Sequence, residues 1–264
     1  MKVTIGHDVE VILVTDTGRP TSAIGLIGGT KAFPRPVTWG ALQEDNVLAE
    51  INITPADTYK KWENYTTKVL QQLASILPRT HIISDKASAF YPMQELLSPQ
   101  AKEFGCDPDF NAWTGQENPR PRLSKRFKNL RSAGGHIHIG LPGLSVDAKY
   151  TLIRVLDMVG GLQATLLDKD VQRKTLYGKA GAMRIKPYGV EWRTPSNFWL
   201  FTKESRAWAY TMAQYCARNF TTLSKLISPE VEQIINNNAL IEARLYLRSL
   251  RKKTALPTHP SLKI

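Results

Sequence analysis

Four short segments of this chain alternate apolar side chains with acidic, imidazole or cationic ones, and a period of two is the mark of a strand with one face in a core. In the first, Val3, Ile5, Val9, Val11 and Leu13 share one parity, and Thr4, Asp8 and Glu10 the other. In the second, Val47, Ala49, Ile51 and Ile53 alternate with Glu50 and Asn52, and Glu44 and Asn46 keep that parity if the strand extends back. Ser132-Ala133-Gly134-Gly135 leads into the third, where His136 and His138 alternate with Ile137 and Ile139. In the fourth, Glu191 and Arg193 alternate with Val190 and Trp192, shortly after Arg184 and Lys186.

Asp8 and Glu10 lie two apart on a strand, roughly 7 Å, where two charges repel by roughly 2 kcal/mol at an effective dielectric of about 20. A cation would relieve that repulsion. Any one such strand also fits a solvent-facing antiparallel edge, but such a face draws mainly on Lys, Thr and Ser. Here the four together offer carboxylates, imidazoles and arginine, a donor set suited to Mg²⁺ or Mn²⁺. The chain lacks the paired cysteines of a structural zinc site.

Helical patterns separate the strands. One is capped by Thr54 or Asp57 and ends near Pro78, a second runs from about Asp147 to Asp168, a third from Lys203 to Leu226, and a fourth from Ser228 towards Arg248. The mixed order predicts an α+β fold with a largely antiparallel sheet. With 264 residues, 42% of them hydrophobic, no repeat and no Gly/Ser linker, a single domain is expected over 1–264. The proline-rich stretch 98–132 reads as a long connection or lid.

Cys106 and Cys216 lie far apart without metal-type spacing and read as reduced side chains, while no leader pattern and no run of 18 apolar residues is present. The expectation is a soluble, cytoplasmic protein with no membrane partner. A net charge of +12 favours acidic partners, nucleic acid among them, but the basic runs Arg120–Arg131 and Arg248–Lys253 carry no groove-reading or RNA-binding signature.

The ordered motifs Gly6-His-Asp-Val-Glu10, Ala49-Glu-Ile-Asn-Ile-Thr-Pro55, Gly134-Gly-His-Ile-His-Ile-Gly140 and Val190-Glu-Trp-Arg-Thr-Pro195 resemble those of the carboxylate-amine ligases. That superfamily includes glutamine synthetase and the glutamate-cysteine ligases, and the closest likeness is to its small phage-type COOH-NH2 ligases, or amidoligases. The resemblance implies a glutamine-synthetase-like curved antiparallel sheet with helices on one face. It implies ATP and Mg²⁺ or Mn²⁺ as cofactors, with Asp8, Glu10, Glu50, His136 and Glu191 as metal ligands and Glu44 or Asp45 as the upstream acid. Parity favours Glu44, and a loop or bulge would favour Asp45. It also implies Arg184 and Arg193 on phosphates, beside Glu191 in the reacting centre, His138 near the nucleotide, and Lys186 and Lys179 as further phosphate contacts. The chain has no Gly-x-x-x-x-Gly-Lys-Ser/Thr loop, and this family grips phosphates with metals and arginines instead.

The expected reaction joins a carboxylate to an amine through an acyl-phosphate, on small-molecule, peptide or protein substrates. Two other readings draw on the same residues and charge: a metal-dependent hydrolase or nuclease, and a non-catalytic nucleic-acid- or protein-binding protein.

Overall fold

A computed structural model describes residues 2–102, 109–119 and 127–263. The strands are β1 (Thr4–Thr15), β2 (Pro20–Thr21), β3 (Arg35–Val37), β4 (Gly40–Asp45), β5 (Leu48–Ile53), β6 (His81–Ser84), β7 (Ser88–Phe90), β8 (Phe110–Asn111), β9 (Leu130–Ser132), β10 (Gly135–Gly140), β11 (Ala182–Lys186) and β12 (Gly189–Trp192). Eight of them form one antiparallel path, β3-β4-β5-β1-β10-β12-β11-β8; β2 and β6 pair with the far end of β1, and β7 pairs with β9 separately.

The parity read from sequence decides which face is covered. Ile5, Val9, Val11, Ala49, Ile51, Ile137, Ile139, Val190 and Trp192 are all buried in one core. Helices α1 (Tyr59–Ile76), α3 (Val146–Leu156) and α5 (Lys203–Leu223) pack against the sheet. α1 starts one residue later than Asp57 would place it: Thr58 caps it by accepting from Lys61 N, while Asp57 pairs with Lys61 Nζ at 2.8 Å. Short α2 spans Pro99–Lys102. Val47 departs from its expected face, joining a second, smaller core with Ile12, Leu48 and Tyr91.

The second helical pattern continues from α3 through a π turn, Asp157–Gly161, into α4 (Leu162–Leu167). The Gly160-Gly161 pair is accommodated because Met212 and Trp192 approach Gly160 closely, as Ile235 does Gly161. The fourth pattern is two helices, α6 (Glu230–Asn236) and α7 (Leu240–Lys253), separated where Asn238 takes φ 52°. The α+β class with a large antiparallel sheet stands. No helix among the described residues is long and apolar enough to cross a membrane.

In the 98–132 stretch, β8 adds to the sheet edge beside β11 and β9 pairs with β7. Arg131 ties the stretch together by donating to the carbonyls of Ala101, Lys128 and Leu130. Cys106 lies outside the described residues, and Cys216 is a buried free thiol.

Candidate active site

The polar face of the sheet is assembled by register. Asp8 stands opposite both His136 and Asn52, Glu10 opposite Glu50, and Glu191 opposite both His138 and Arg184. Residues directly opposite on antiparallel strands share a face, so segments more than 180 positions apart in sequence bring their polar sides together.

Two groups result. In the first, Asp8, His136 and Glu191 bring ligand atoms within 4.8 Å of one another. Asp8 lies between the imidazoles, 3.1 Å from His136 Nδ1 and 3.0 Å from His138 Nε2. Glu191 is fully buried, contacts Arg193, and lies 2.9 Å from Lys186 Nζ and 3.6 Å from Arg184 Nη1. Burial opposes ionisation of Asp8, but His138 and His136 outweigh it and its pKa falls well below the ordinary range. For Glu191, burial and the Asp8 charge push upward, and Arg193, His136 and His138 still hold its pKa down at about 2. Burial, followed by the positive field of Arg193, lowers the His136 pKa to about 4. Burial also acts against the charge on His138, but Asp8 wins and raises it.

The second group is Glu10, Asp45 and Glu50, again with ligand atoms within 4.8 Å of one another. Glu10 accepts from Gly134 N at 2.6 Å, and Glu50 from Gln43 and Asn52 at 3.0 and 3.1 Å. Burial, then the Asp45 charge, raises the Glu10 pKa to about 7. Burial and the neighbouring carboxylates raise Glu50 well above the carboxylate range; burial raises Asp45 too, against Lys31. Three acids that cannot all ionise comfortably could together hold a hard cation. The donor set fits Mg²⁺ or Mn²⁺, with one imidazole in the other group.

Asp45, not Glu44, completes the acid group. β4 and β5 form a hairpin whose turn places Asn46 at φ 55°, so the strand does not extend back and the parity extrapolation fails. Glu44 pairs across with Ala49 and its carboxylate accepts from Gly25 N and Gly28 N at 2.9 and 3.4 Å. Lys179 is also outside the groups, its Nζ donating to Asn236 O. Arg184, Lys186, His138 and Arg193 all converge on the first group.

The glycines ahead of β10 serve close approach. A Cβ at Gly134 would lie 2.3 Å from the His136 ring, and one at Gly135 2.2 Å from Ser196 O. A cavity of about 340 Å³ adjoins the acid group, lined by Glu10, Asp45, Asp109, Arg131, Arg173 and Arg193 among others. Asp109, 3.6 Å from Arg193 Nε, and Arg173, which donates to Thr194 O, carry no motif that would single them out from sequence. His7 sits behind Asp8 in the core, bonded to Thr66 Oγ1 at 2.9 Å between Trp62 and Trp199, and burial drops its pKa to about 3. Its odd parity marks it as a core residue.

No curated protein matches the chain. Among solved structures, a bifunctional glutathione synthetase from Pasteurella multocida is similar at 10% identity with a TM-score of 0.53, over 96% of this chain and 44% of that one. Likeness at that identity speaks for the fold, and the chain spans less than half of that protein. The family resemblance rests on sequence: residues 124–248, from just ahead of β9 into α7, match the family of phage phiEco32-like COOH.NH2 ligases, type 2.

Proposed function

We propose that the protein is an ATP-dependent carboxylate-amine ligase that forms an amide or peptide-like bond through an acyl-phosphate. The observation that carries this reading is the pair of ligand groups side by side on one sheet face, with Arg184, Arg193 and Lys186 at one edge. Asp8, His136 and Glu191 would hold one divalent ion and Glu10, Asp45 and Glu50 another. Bound there, Mg²⁺ or Mn²⁺ would neutralise the ATP phosphates and favour phosphoryl transfer.

Arg184, Arg193 and Lys186 are then placed to donate to the phosphoryl oxygens, with Glu191 holding these cations in position. An oxygen of the substrate carboxylate attacks the γ-phosphorus, and ADP leaves. The amine nitrogen attacks the acyl carbon, the C–O bond to phosphate breaks, and the ammonium proton passes to a carboxylate. Asp109 suits that last role: it lines the cavity outside both ion groups, and burial raises its pKa against the pull of Arg193. His138, held by Asp8 and Tyr188, would lie against the nucleotide. The described parts of the stretch 98–132, residues 98–102, 109–119 and 127–132, would shield the acyl-phosphate from water. The acid and amine are small molecules, peptides or protein side chains, and the fold is read as glutamine-synthetase-like.

Incubating the purified protein with ATP, Mg²⁺ and pooled amino acids and peptides should release ADP and phosphate in equal amounts, only when both substrates are present. Failure to bind ATP at any Mg²⁺ or Mn²⁺ concentration would overturn the reading. Cleavage of nucleic acid without ATP would replace it with the nuclease.

A further inference from the structure

We infer that Asp157, in the π turn between α3 and α4, is a positioning residue: its single carboxylate locks the strand end carrying Glu191 and Arg193 to the segment carrying Asp109. This rests on the ligase reading only for the roles of those three residues. Asp157 is fully buried and accepts four hydrogen bonds. Oδ1 takes Trp192 Nε1 at 2.8 Å and Thr194 Oγ1 at 2.9 Å; Oδ2 takes Trp113 Nε1 at 2.8 Å and Gly181 N at 2.5 Å. Trp192 and Thr194 flank Arg193. Trp113 belongs to the segment that holds Asp109, and Gly181 to the turn before β11, where Ala182 O accepts from Arg193 N.

The four donors are neutral, and a buried carboxylate served by neutral donors is a costly way to fill a core that an apolar side chain could fill. Burial raises its pKa to about 6. The π turn brings the carboxylate to this point, and π turns recur at functional sites. Gly160 and Gly161 leave room for it: a Cβ at Gly160 would meet Trp192 at 2.9 Å. Arg154 reinforces the join from the next turn of the helix, donating to Ala112 O and lying over the Trp113 ring. Asp157 thus reaches Glu191, Arg193 and Asp109 through their neighbours and touches none of them.

An asparagine has the same shape but one accepting oxygen, so Asp157→Asn turns an NH2 towards two donors. In the full chain, the variant is expected to shift the Nε–H signals of Trp113, Trp192 and also Arg193 in ¹⁵N-resolved NMR. It should lower kcat by on the order of 10–100-fold, as small misplacements do, with KM for ATP near its wild-type value. Thr194→Val removes one donor of the four and should give smaller shifts of the same pattern; it decides the matter if Asp157→Asn does not fold. Shifts at the two tryptophans without one at Arg193, together with wild-type kcat in the folded fraction, would make Asp157 a core anchor and overturn the inference. A wild type that binds no ATP would sink the ligase reading, while the Arg193 signal would still judge Asp157.

Discussion

The two ligand groups meet at β1, where Asp8 of one and Glu10 of the other stand two residues apart, yet they answer burial in opposite ways. Around Glu191 the chain brings its own cations, Arg193, Arg184 and Lys186, and it sets both imidazoles against Asp8, so Glu191 and Asp8 stay ionised and stabilise the fold. Around Glu50 it brings Gln43 and Asn52, and Gly134 N to Glu10, so burial raises the pKa of both carboxyls and a bound cation would lower it again. The first group's carboxylates are balanced largely by the chain's own cations; the second group's are served mainly by neutral donors. Removing a carboxylate should therefore hurt the first and relieve the second.

The largest expected effect is Glu191→Ala, which leaves three cationic side chains facing a void. It should destabilise by about 3–5 kcal/mol and abolish ATP turnover, read by chemical unfolding and ADP release. If stability is unchanged, the two groups do not differ as described. Glu50→Gln should do the reverse, raising the melting temperature of the ion-free protein while removing its response to Mg²⁺. A fall in melting temperature would break the contrast.

The pH dependence follows with opposite signs. A carboxyl whose folded pKa is raised, such as Glu10 from 4.5 to about 7, makes the ion-free fold lose stability as pH climbs through that interval, because the folded state binds more protons. A carboxyl whose folded pKa is depressed, such as Glu191 from 4.5 to about 2, contributes stability above 4.5 that is lost as pH falls towards 2. Mg²⁺ should accordingly raise the melting temperature more at pH 8 than at pH 5, as thermal scans would record; an equal rise would place the ion elsewhere. The smallest effects belong to Glu44→Gln, about 1 kcal/mol from weaker bonds to Gly25 N and Gly28 N, and to Lys179→Ala, which should leave ATP turnover intact.

The fold's polar and apolar faces were legible because period-two alternation is decided by burial alone, and β1, β5, β10 and β12 obey it. Where a backbone conformation intervenes, parity loses its meaning. The turn at Asn46 replaces Glu44 by Asp45, and the break at Asn238 divides one helical pattern into α6 and α7. Asp109, Arg173 and Asp157 carry no pattern at all. Asp109 and Arg173 reach the cavity by tertiary contact from a loop and a short turn, and Asp157 bonds the neighbours of site residues from a π turn, none of which local spacing encodes.

The register between β1 and β10 has a consequence for quality control. Sliding β10 by one residue would turn His136 and His138 into the core and push Ile137 and Ile139 out, so the slip that destroys the ligand set also exposes two isoleucines. A misassembled molecule of this kind would be both inert and sticky, and so distinguishable from the native one by any surveillance that senses exposed apolar surface. The chain cannot slip at this strand pair and keep these polar side chains together.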